Sequence, residues 1–435
     1  MPTLEKLYSL FLNSSGVTTD SRNILSGSIF FALKGEKFNA NLFAAEAFEK
    51  GAKYVVVDEI ANNEWSKKYG ENLILVDDVL KTLQLLAAHH RSKLKCPVLA
   101  ITGSNGKTTT KELIAAVLSK KFRTYATKGN LNNQIGIPLT LLSIKQDAEF
   151  SIIEMGANHQ GEIASYCEYT KPDYGLITNV GFAHLEGFGG FEGVVKGKTE
   201  LYRYIISKGG KIFLNEDNNI LVDSWLLATG SNINSIIYGK SSHAFCSGEI
   251  GKSKVFLSVI VDGDNIQTNL VGEYNFENVL SAVCIGKYFG VEKNKIKEAI
   301  ENYLPSNNRS QKISSNSNTI ILDAYNANPS SMTEALKNFE RIEAENKMVI
   351  LGEMMELGEY SKKEHEKIIA QVKKMRLTKS IFVGNGFSFL KDDIDHLYFE
   401  TTQELKEWFR QQQFENYYVL IKGSRKNELE KILKD

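Results

Sequence analysis

The segment VLAITGSNGKTT, residues 98–109, decides the fold class of this chain of 435 residues. Its first five residues are typical of a buried strand, and a glycine-rich loop leads from them into a predicted helix at 108–120. In such a turn the backbone N–H groups and the helix N-terminus face an anion, Lys107 adds positive charge, and the Thr108 hydroxyl can hold Mg²⁺. Ile101 stands where the general motif has glycine, so the loop is a variant. The residues expected to bind ATP here are Gly103, Ser104, Asn105, Gly106, Lys107, Thr108 and Thr109.

Outward from this loop, predicted strands and helices alternate along the chain. The predicted strands at 98–102, 150–155 and 174–180 are continuous apolar runs, as buried parallel strands are. Beyond a predicted linker at 305–308, strands at 319–323, 348–351, 380–383 and 418–421 again alternate with helices. The sequence therefore predicts an α/β fold of three domains. These are a small N-terminal α/β domain at 1–92, a central P-loop ATPase domain with a mainly parallel sheet at 93–305, and a C-terminal Rossmann-like α/β domain at 306–435.

Composition restricts the class of protein. The 52 Lys and Arg residues balance the 52 Asp and Glu residues, so no field of one sign would attract nucleic acid or an anionic membrane. No apolar run approaches the length of about 18 residues that a membrane span needs, and no secretion signal opens the chain. We expect a cytoplasmic protein whose partners are small molecules. The four cysteines are far apart in the sequence and are expected to be reduced and mostly buried.

Two further predicted strands end in polar residues, at the edge where parallel sheets bind ligands. Glu154 lies at the end of one, and Asn179, followed by His184, lies at the end of the other. Glu154 and His184 are candidate metal ligands. A solvated strand end explains Glu154 equally well, and a structural histidine explains His184 better when each is taken alone.

Lys198 is the more informative residue, because it falls in the apolar stripe of a predicted helix at 191–206. Its neighbours three and four positions away are Val194, Val195, Leu201 and Tyr202. The stem of Lys198 could pack while the amine reaches water. Alternatively, burial lowers the pKa of the amine, and the neutral amine adds CO₂ to become a carbamate, an anionic ligand suited to Mg²⁺.

The neighbouring Lys196 is predicted to behave differently from Lys198. Its neighbours four positions away are Glu192 and Glu200, which indicates a solvated, salt-bridged face of the same helix.

Six segments in a fixed order carry a resemblance to a known family. They are TGSNGKTT (102–109), GNLNN (129–133), EMGANH (154–159), NVGFAHLEGFG (179–189), GEYN (272–275) and DAYNANP (323–329). Together they resemble the Mur ligases of peptidoglycan synthesis, and within that family the members that use D-alanyl-D-alanine. The resemblance extends from residues 20–22 to residues 422–425.

The resemblance implies an activity and a division of labour between domains. The N-terminal domain would hold the UDP-MurNAc-tripeptide, the central domain would bind ATP, and the C-terminal domain would close over the nucleotide. The tripeptide carboxylate would attack the γ-phosphate of ATP to give an acyl phosphate, and the amine of D-Ala-D-Ala would displace phosphate. Two Mg²⁺ ions and Lys107 would neutralise the anions that meet. We expect a monomer that binds these small substrates.

The resemblance also implies roles for individual residues. Lys107, Lys198 and His184 would be catalytic. Thr108 and Glu154 would hold one Mg²⁺, and His184 with carbamylated Lys198 the other. The remaining candidates are Asn275 and Asn278 for the adenine, Arg309 and Asp323 for the phosphates and ribose, Ser21 and Arg22 for the uridine diphosphate, Asn130 and Asn133 for the UDP-linked substrate, and Asn326 and Asn328 for D-Ala-D-Ala. Ala324 departs from the family, in which paired acids often occur here.

Other functions remain open at this stage. One is a sibling ligase that adds the third amino acid, or a folylpolyglutamate synthetase, although GNLNN and YNANP favour neither. A P-loop switch or motor would leave Lys198 unexplained. A binding-only relative should have lost Lys107, Glu154 or Lys198, and all three are present.

Overall fold

The structure is a computed structural model that describes residues 3–229, 235–252, 255–305 and 308–433. Its core is organised around three sheets, which contain four, nine and six strands within the described residues. The predicted linker at 305–308 lies partly outside the described residues, because 306 and 307 are not among them. No helix of the described ranges combines the length and the apolar character that crossing a membrane requires.

The N-terminal part forms a four-stranded parallel sheet in the order β1-β2-β5-β6. A two-stranded antiparallel ribbon of β3 and β4 accompanies this sheet. The elements are α1 Leu4–Leu12, β1 Val17–Thr18, β2 Ile29–Phe31, β3 Lys34–Gly35, β4 Phe38–Asn39, α2 Ala44–Glu49, β5 Tyr54–Val57, α3 Asn63–Tyr69, β6 Leu73–Leu75 and α4 Val79–Lys93.

The central part begins with the strand, loop and helix predicted from the opening segment. Its elements are β7 Val98–Thr102, α5 Lys107–Leu118, β8 Thr124–Ala126, α6 Gly136–Ser143, β9 Phe150–Glu154, α7 Glu162–Thr170, β10 Tyr174–Ile177, α8 Leu185–Phe188, α9 Phe191–Lys198, α10 Glu200–Ser207, β11 Lys211–Asn215, α11 Asn219–Thr229, β12 Ser235–Gly239, β13 Cys246–Ile250, β14 Phe256–Val261, β15 Asp264–Val271, α12 Phe276–Tyr288 and α13 Lys293–Glu301.

The central sheet places the loop after β7 at a switch in strand order. The order is β15-β14-β13-β12-β11-β10-β7-β9-β8, parallel from β8 to β13 and antiparallel beyond. Strand β7 pairs with β9 on one side and with β10 on the other. A crevice forms outside the carboxyl ends of strands at such a switch, and ligands bind there. All five residues of β7 are buried, as their apolar character predicted.

The C-terminal part is a six-stranded sheet in the order β16-β17-β21-β18-β19-β20. It is parallel except for the edge strand β16, which the sequence analysis missed. The elements are β16 Gln311–Ser315, β17 Asn318–Asp323, α14 Pro329–Glu340, β18 Asn346–Gly352, α15 Ser361–Val372, β19 Lys379–Val383, β20 Leu397–Phe399, α16 Thr402–Arg410 and β21 Tyr417–Lys422.

The predicted single helix at 191–206 is wrong in one respect, because Thr199 divides it into α9 and α10. The Thr199 hydroxyl bonds back to the Val195 carbonyl at 2.8 Å, a contact that competes with regular helix geometry. The predicted helical phase is nevertheless correct, since Lys198 is buried and Lys196 is exposed. Glu200, predicted to lie beside Lys196 on a salt-bridged face, accepts hydrogen bonds from the backbone N–H groups of Gly161 and Ala164.

All four cysteines are free and buried, as the sequence analysis predicted.

Arg91 joins α4 to the central part of the chain. Its guanidinium is buried and donates to the backbone carbonyls of Thr170 and Lys171 at 2.9 and 3.0 Å, and to the Asp173 carboxylate at 3.0 Å. Arg91→Met should lower the free energy of unfolding by about 2 kcal/mol, because buried acceptors lose their donors. Urea unfolding followed by circular dichroism measures this.

The control for this prediction is Arg123→Met, because the ion pairs of Arg123 with Asp147 and Glu149 are exposed. It should cost less than about 1 kcal/mol. Equal losses in the two variants would contradict the proposed role of Arg91.

Candidate functional site

One cavity of about 920 Å³ opens at the carboxyl ends of β7, β9 and β10, and loops of the C-terminal part form its other wall. It brings together residues that are far apart in the sequence and that the sequence analysis had singled out separately. Those lining it are Ser104, Asn105, Gly106, Lys107, Thr108, Thr109, Asn130, Asn133, Glu154, His184, Asn275, Asn278, Arg309, Asp323, Asn326 and Asn328.

Two glycines give the phosphate loop its shape. Gly103 and Gly106 have positive φ, at +144° and +77°. A Cβ on Gly103 would come within 2.0 Å of the Thr178 hydroxyl, and one on Gly106 would come within 2.5 Å of the Asn278 amide oxygen. Only glycine fits both positions, because both the backbone conformation and the close neighbours exclude a side chain.

Lys107 is the first residue of α5, so its charge lies at the positive end of the helix. Its Nζ donates to the carbonyls of Gly103 and Ser104, at 2.6 and 3.2 Å. The amine therefore folds back over the loop that leads into α5, whose first N–H groups have no partner within the helix. Burial lowers the pKa of Lys107 to about 8, and the nearby Arg309 also lowers it, whereas Glu154 raises it. A bound phosphate would favour the charged form.

Glu154 is a nearly fully buried carboxylate beside this loop. Its Oε1 accepts from the Thr108 hydroxyl at 3.1 Å and from the Asn132 amide at 2.8 Å. Its Oε2 is buried without a hydrogen-bond partner in the described part of the chain, and Lys111 Nζ lies 3.8 Å away. An orphaned carboxylate oxygen next to a threonine hydroxyl fits the oxygen ligands that Mg²⁺ prefers.

Within the described ranges, no three His, Cys, Asp or Glu side chains come together as a complete metal site.

Asn275 and Asn278 form a buried pair at the start of α12. The Asn278 amide donates to Asn275 Oδ1 at 2.9 Å, and its own Oδ1 accepts from the Thr110 hydroxyl at 2.9 Å. Asn275 in turn donates to the Val271 carbonyl. The pair thus attaches α12 to α5 behind the phosphate loop, and both residues line the cavity. Their role towards adenine remains a prediction.

The C-terminal part contributes charged groups to the cavity. Asp323, at the end of β17, accepts from Lys422 Nζ at 2.5 Å and from the Ser310 backbone N–H at 3.2 Å. The Arg309 guanidinium lies 3.7 Å from the centre of the Tyr325 ring, so its plane is supported by an aromatic face. Asn328 donates to Asn105 Oδ1 at 2.8 Å, which brings the C-terminal part onto the phosphate loop itself.

His184 and Lys198, predicted as partners at one metal, have different surroundings. His184 Nδ1 contacts the Glu356 carboxylate of the C-terminal part. Lys198 is not among the cavity-lining residues. Its Nζ donates to the Ala157 carbonyl at 3.0 Å and lies 5.1 Å from the centre of the Phe188 ring. Because Ala157 lines the cavity, the Lys198 amine lies directly behind its wall.

The amine of Lys198 is strongly perturbed in this position. Its side chain is 1% exposed, and desolvation lowers the pKa of Lys198 well below its ordinary value, with a smaller contribution from Lys107. The prediction of a buried, desolvated amine is confirmed, and its role as a metal ligand remains a prediction.

The predicted uridine-site residues lie away from this cavity. Arg22 is exposed and pairs with Asp20 at 2.9 Å, and the Ser21 carbonyl accepts from Lys50 Nζ. Neither residue lines the cavity. Their roles remain predictions.

Sequence reasoning missed several residues that the structure brings to the site. Asn132, Lys111, Tyr325, Lys422 and Glu356 all contact predicted site residues. Some signals were available: Lys111 is one helical turn after Lys107, and Asn132 lies within GNLNN. Lys422 and Glu356 follow predicted strands of one parallel sheet, but which strands are neighbours was not readable from the sequence.

Three regions of the chain match known families. They match the Mur ligase family, catalytic domain, over residues 13–91, the Mur ligase middle domain over 101–286, and the Mur ligase, glutamate ligase domain over 308–425. A curated relative, the UDP-N-acetylmuramoyl-tripeptide--D-alanyl-D-alanine ligase of Bacillus subtilis (strain 168), is 31% identical over 434 residues. That alignment covers 97% of this chain and 92% of the relative.

Solved structures show the same similarity. Crystal structure I of MurF from Acinetobacter baumannii superposes with a TM-score of 0.85 at 28% identity, covering 99% of this chain and 97% of that one. The MurF ligase from Thermotoga maritima in complex with ADP has a TM-score of 0.82 at 23% identity, covering 100% and 98%, and shares the fold.

Gly106 supplies a test of the phosphate loop. Gly106→Ala should weaken ATP binding about tenfold or more, because left-handed backbone costs a residue with a Cβ about 1–2 kcal/mol and the methyl group also collides with Asn278. Isothermal titration calorimetry measures the affinity. The control is Gly209→Ala, which has a similar φ of +71° with nothing within 4 Å of the added methyl. An ATP affinity lowered equally in both variants would contradict the assignment of this loop to phosphate binding.

Proposed function

The chain belongs to the Mur ligase family, and we propose that it is the ATP-dependent ligase that joins D-alanyl-D-alanine to UDP-N-acetylmuramoyl-tripeptide. The product would be the pentapeptide precursor of peptidoglycan. The observation that carries the proposal is the single cavity in which the phosphate loop, Glu154 and the C-terminal residues Arg309 and Asp323 meet. The Bacillus subtilis relative, whose name states this activity, aligns with nearly the whole chain.

The proposed reaction has two steps. In the first, a terminal carboxylate oxygen of the tripeptide forms a bond to the γ-phosphorus of ATP, and the bond to the bridging oxygen breaks to release ADP. In the second, the amine of D-Ala-D-Ala attacks the acyl carbon, and a tetrahedral intermediate collapses with loss of inorganic phosphate. The amine gives up one proton, and a peptide bond remains.

The first step brings a carboxylate towards a polyphosphate, so like charges must approach. Lys107 at the start of α5 and the N–H groups of the loop supply positive potential where that repulsion is greatest. Their positions are fixed before substrate arrives, so little reorganisation accompanies the reaction. Mg²⁺, when bound, would supply further charge neutralisation and align the phosphates.

The residues proposed to hold the ions are Thr108 and Glu154 for one, and His184 with Lys198 for the other. Support for the first pair is direct, since the two side chains contact each other and Glu154 has an unpaired oxygen. Support for the second pair is weaker, since Lys198 bonds to Ala157 behind the cavity wall.

We assign the other predicted residues in the same way. Asn275 and Asn278 would meet the adenine, and Arg309 and Asp323 the phosphates and ribose. The candidates for the peptide substrates are Asn130, Asn133, Asn326 and Asn328, with Ser21 and Arg22 for the uridine diphosphate. The proposed domains are 1–92, 93–305 and 306–435, in a monomeric cytoplasmic enzyme whose substrates are all small molecules.

Lys198 is proposed to act as a carbamate. A neutral amine attacks CO₂ to form an N–C bond and releases one proton, which leaves an anionic carbamate on Nζ. The buried position supports the neutral amine, because desolvation penalises an ammonium. Near Mg²⁺ and Lys107, an anionic group is favoured where an ammonium would be repelled.

A phosphate-release assay tests the proposed function. The protein is mixed with ATP and either of two UDP-tripeptides, with diaminopimelate or lysine as the third residue, in the presence and absence of D-Ala-D-Ala. Sustained phosphate release that requires all three substrates, together with a pentapeptide product in the mass spectrum, supports the proposal. Release that is independent of D-Ala-D-Ala, or that follows a free amino acid instead, would overturn it.

Lys107→Ala should lower kcat by roughly 100- to 1,000-fold, because the charge facing the transferred phosphate is lost. Its side chain bonds to its own loop and not to the core, so circular dichroism should be unchanged. Lys120→Ala, at an exposed pair with Glu298, is the control and should retain full turnover. Wild-type turnover in Lys107→Ala would refute the phosphate-loop assignment.

Lys198→Ala should lose most activity, about 100-fold or more, as removal of a metal-holding group does. ATP affinity should persist, since Lys107 and Thr108 are untouched. Formate or acetate should restore part of the activity by occupying the vacated position, and a ¹³CO₂ resonance in the native protein should vanish in the variant. Lys196→Ala, on the exposed face, is the control. Full activity in Lys198→Ala would contradict the proposed role.

A further inference from the structure

Glu356 reaches from the C-terminal part of the chain into the cavity, and none of the roles assigned above includes it. It follows β18 on a loop at residues 353–357, and its carboxylate contacts the His184 ring. Its φ is +61°, a left-handed value that residues other than glycine rarely adopt. Such a conformation persists only when its surroundings hold it, so the position of this carboxylate is determined by neighbouring structure.

Two buried contacts hold the loop immediately before that carboxylate. The Met354 N–H donates to His365 Nε2 at 2.9 Å, and His365 Nδ1 is 2.8 Å from the Ser361 carbonyl. His365 is therefore a neutral ring with its proton on Nδ1. The Met355 N–H donates to Ser424 Oγ at 3.1 Å. Glu356 is thus presented by a loop whose two preceding residues are both hydrogen-bonded to fully buried side chains.

The Ser424 contact also brings positive charge to the same rim. Arg425 and Lys426 come directly after Ser424 in the sequence. Both line the cavity, as Glu356 does. Arg425 is paired with Glu430 at 2.5 Å, whereas no ion pair to Lys426 occurs within the described residues. One wall of the cavity thus carries a carboxylate and a cation on adjoining loops, the arrangement that a short zwitterionic peptide requires.

We propose that Glu356 receives the ammonium group of the dipeptide substrate and directs that nitrogen towards the acyl carbon, which the nitrogen attacks once it has lost one proton to solvent. The proposal rests on the proposed function, and it names the residue that recognises the amine. Its contact with His184 places the Glu356 carboxylate beside the central part's share of the cavity, where the activated carboxyl group is proposed to lie. The ammonium takes the position that the His184 ring occupies against Glu356 when no substrate is bound.

Charge is the reason for choosing Glu356 over the neutral side chains near it. Asn326 and Asn328 also line the cavity, but Asn328 is occupied by Asn105, and the Asn326 Oδ1 accepts from the Ala327 N–H. A hydrogen bond between a carboxylate and an ammonium is roughly twice as strong as one between neutral groups. Glu356→Gln keeps the shape and removes that charge.

The test separates amine binding from activation of the tripeptide. Glu356→Gln and the wild type are assayed with ATP and UDP-tripeptide, once with D-Ala-D-Ala and once with hydroxylamine. Hydroxylamine is a small neutral nucleophile that traps an acyl phosphate as a hydroxamate without needing an ammonium site. The matched control is Glu359→Gln, an exposed carboxylate three residues along that does not line the cavity.

In Glu356→Gln the KM for D-Ala-D-Ala should rise about 10- to 100-fold, the change expected when a charge-assisted hydrogen bond is lost. Hydroxamate formation and the KM for ATP should stay within about threefold of the wild type. Glu359→Gln should match the wild type in every measurement.

Two results would overturn the proposal for Glu356. The first is a parallel loss of hydroxamate formation and ligation, which would make Glu356 a structural or metal-holding group. The second is an unchanged KM for D-Ala-D-Ala. Failure of the proposed function is a different outcome, because the wild type itself would then form no hydroxamate from UDP-tripeptide.

Discussion

The phosphate loop is held in one conformation by the end of the neighbouring strand β10, and the rest of the site depends on this attachment. The Asn105 N–H donates to Asn179 Oδ1 at 2.9 Å, and the Thr178 hydroxyl donates to the Asn105 carbonyl at 2.6 Å. The Ser104 N–H bonds to the Asn179 carbonyl. These contacts hold the backbone of Gly103 so close to the end of β10 that no side chain fits there. An anion then meets the N–H groups at the start of α5 in a preorganised position.

The loop in turn orders the groups on its other side. Asn278 fits against Gly106 and bonds to Thr110, so α12 packs directly behind the start of α5. Glu154 arrives from β9, the strand on the opposite side of β7, and contacts Thr108. The Oε2 atom of Glu154 is buried without a hydrogen bond within the described residues, and Lys111 Nζ lies 3.8 Å away, so a bound cation would further stabilise this carboxylate. The nearby positive charges of Lys107 and Lys111 favour the binding of anions at this site.

The C-terminal part reaches the same loop and the segment after β10 through side chains at the start of α14. Asn328 bonds to Asn105, and the Ser330 hydroxyl accepts from the Phe182 N–H. On the other side of the cavity, the Tyr274 and Ser310 hydroxyls bond to each other. The carboxyl ends of parallel strands from both sheets therefore border the same cavity. Polar and charged groups line this cavity.

The sequence by itself determined the elements and their local chemistry. A strand, a glycine loop and Lys107 at a helix start form a contiguous motif, so the phosphate site could be read without tertiary structure. The burial of Lys198 followed from helical periodicity, which is also local. The sequence also carried the family resemblance, because its motifs are short segments in a fixed order.

Only the tertiary structure decided which residues meet. Contacts such as Glu356 with His184, Asp323 with Lys422 and Asn132 with Glu154 join positions that no periodicity links. They depend on strand order, as when β21 inserts between β17 and β18, although it follows both in the chain. The structure likewise decided that the Lys198 amine bonds to Ala157 behind the cavity wall. Periodicity sets the face on which a side chain lies, but the direction of its end group depends on packing against elements distant in sequence.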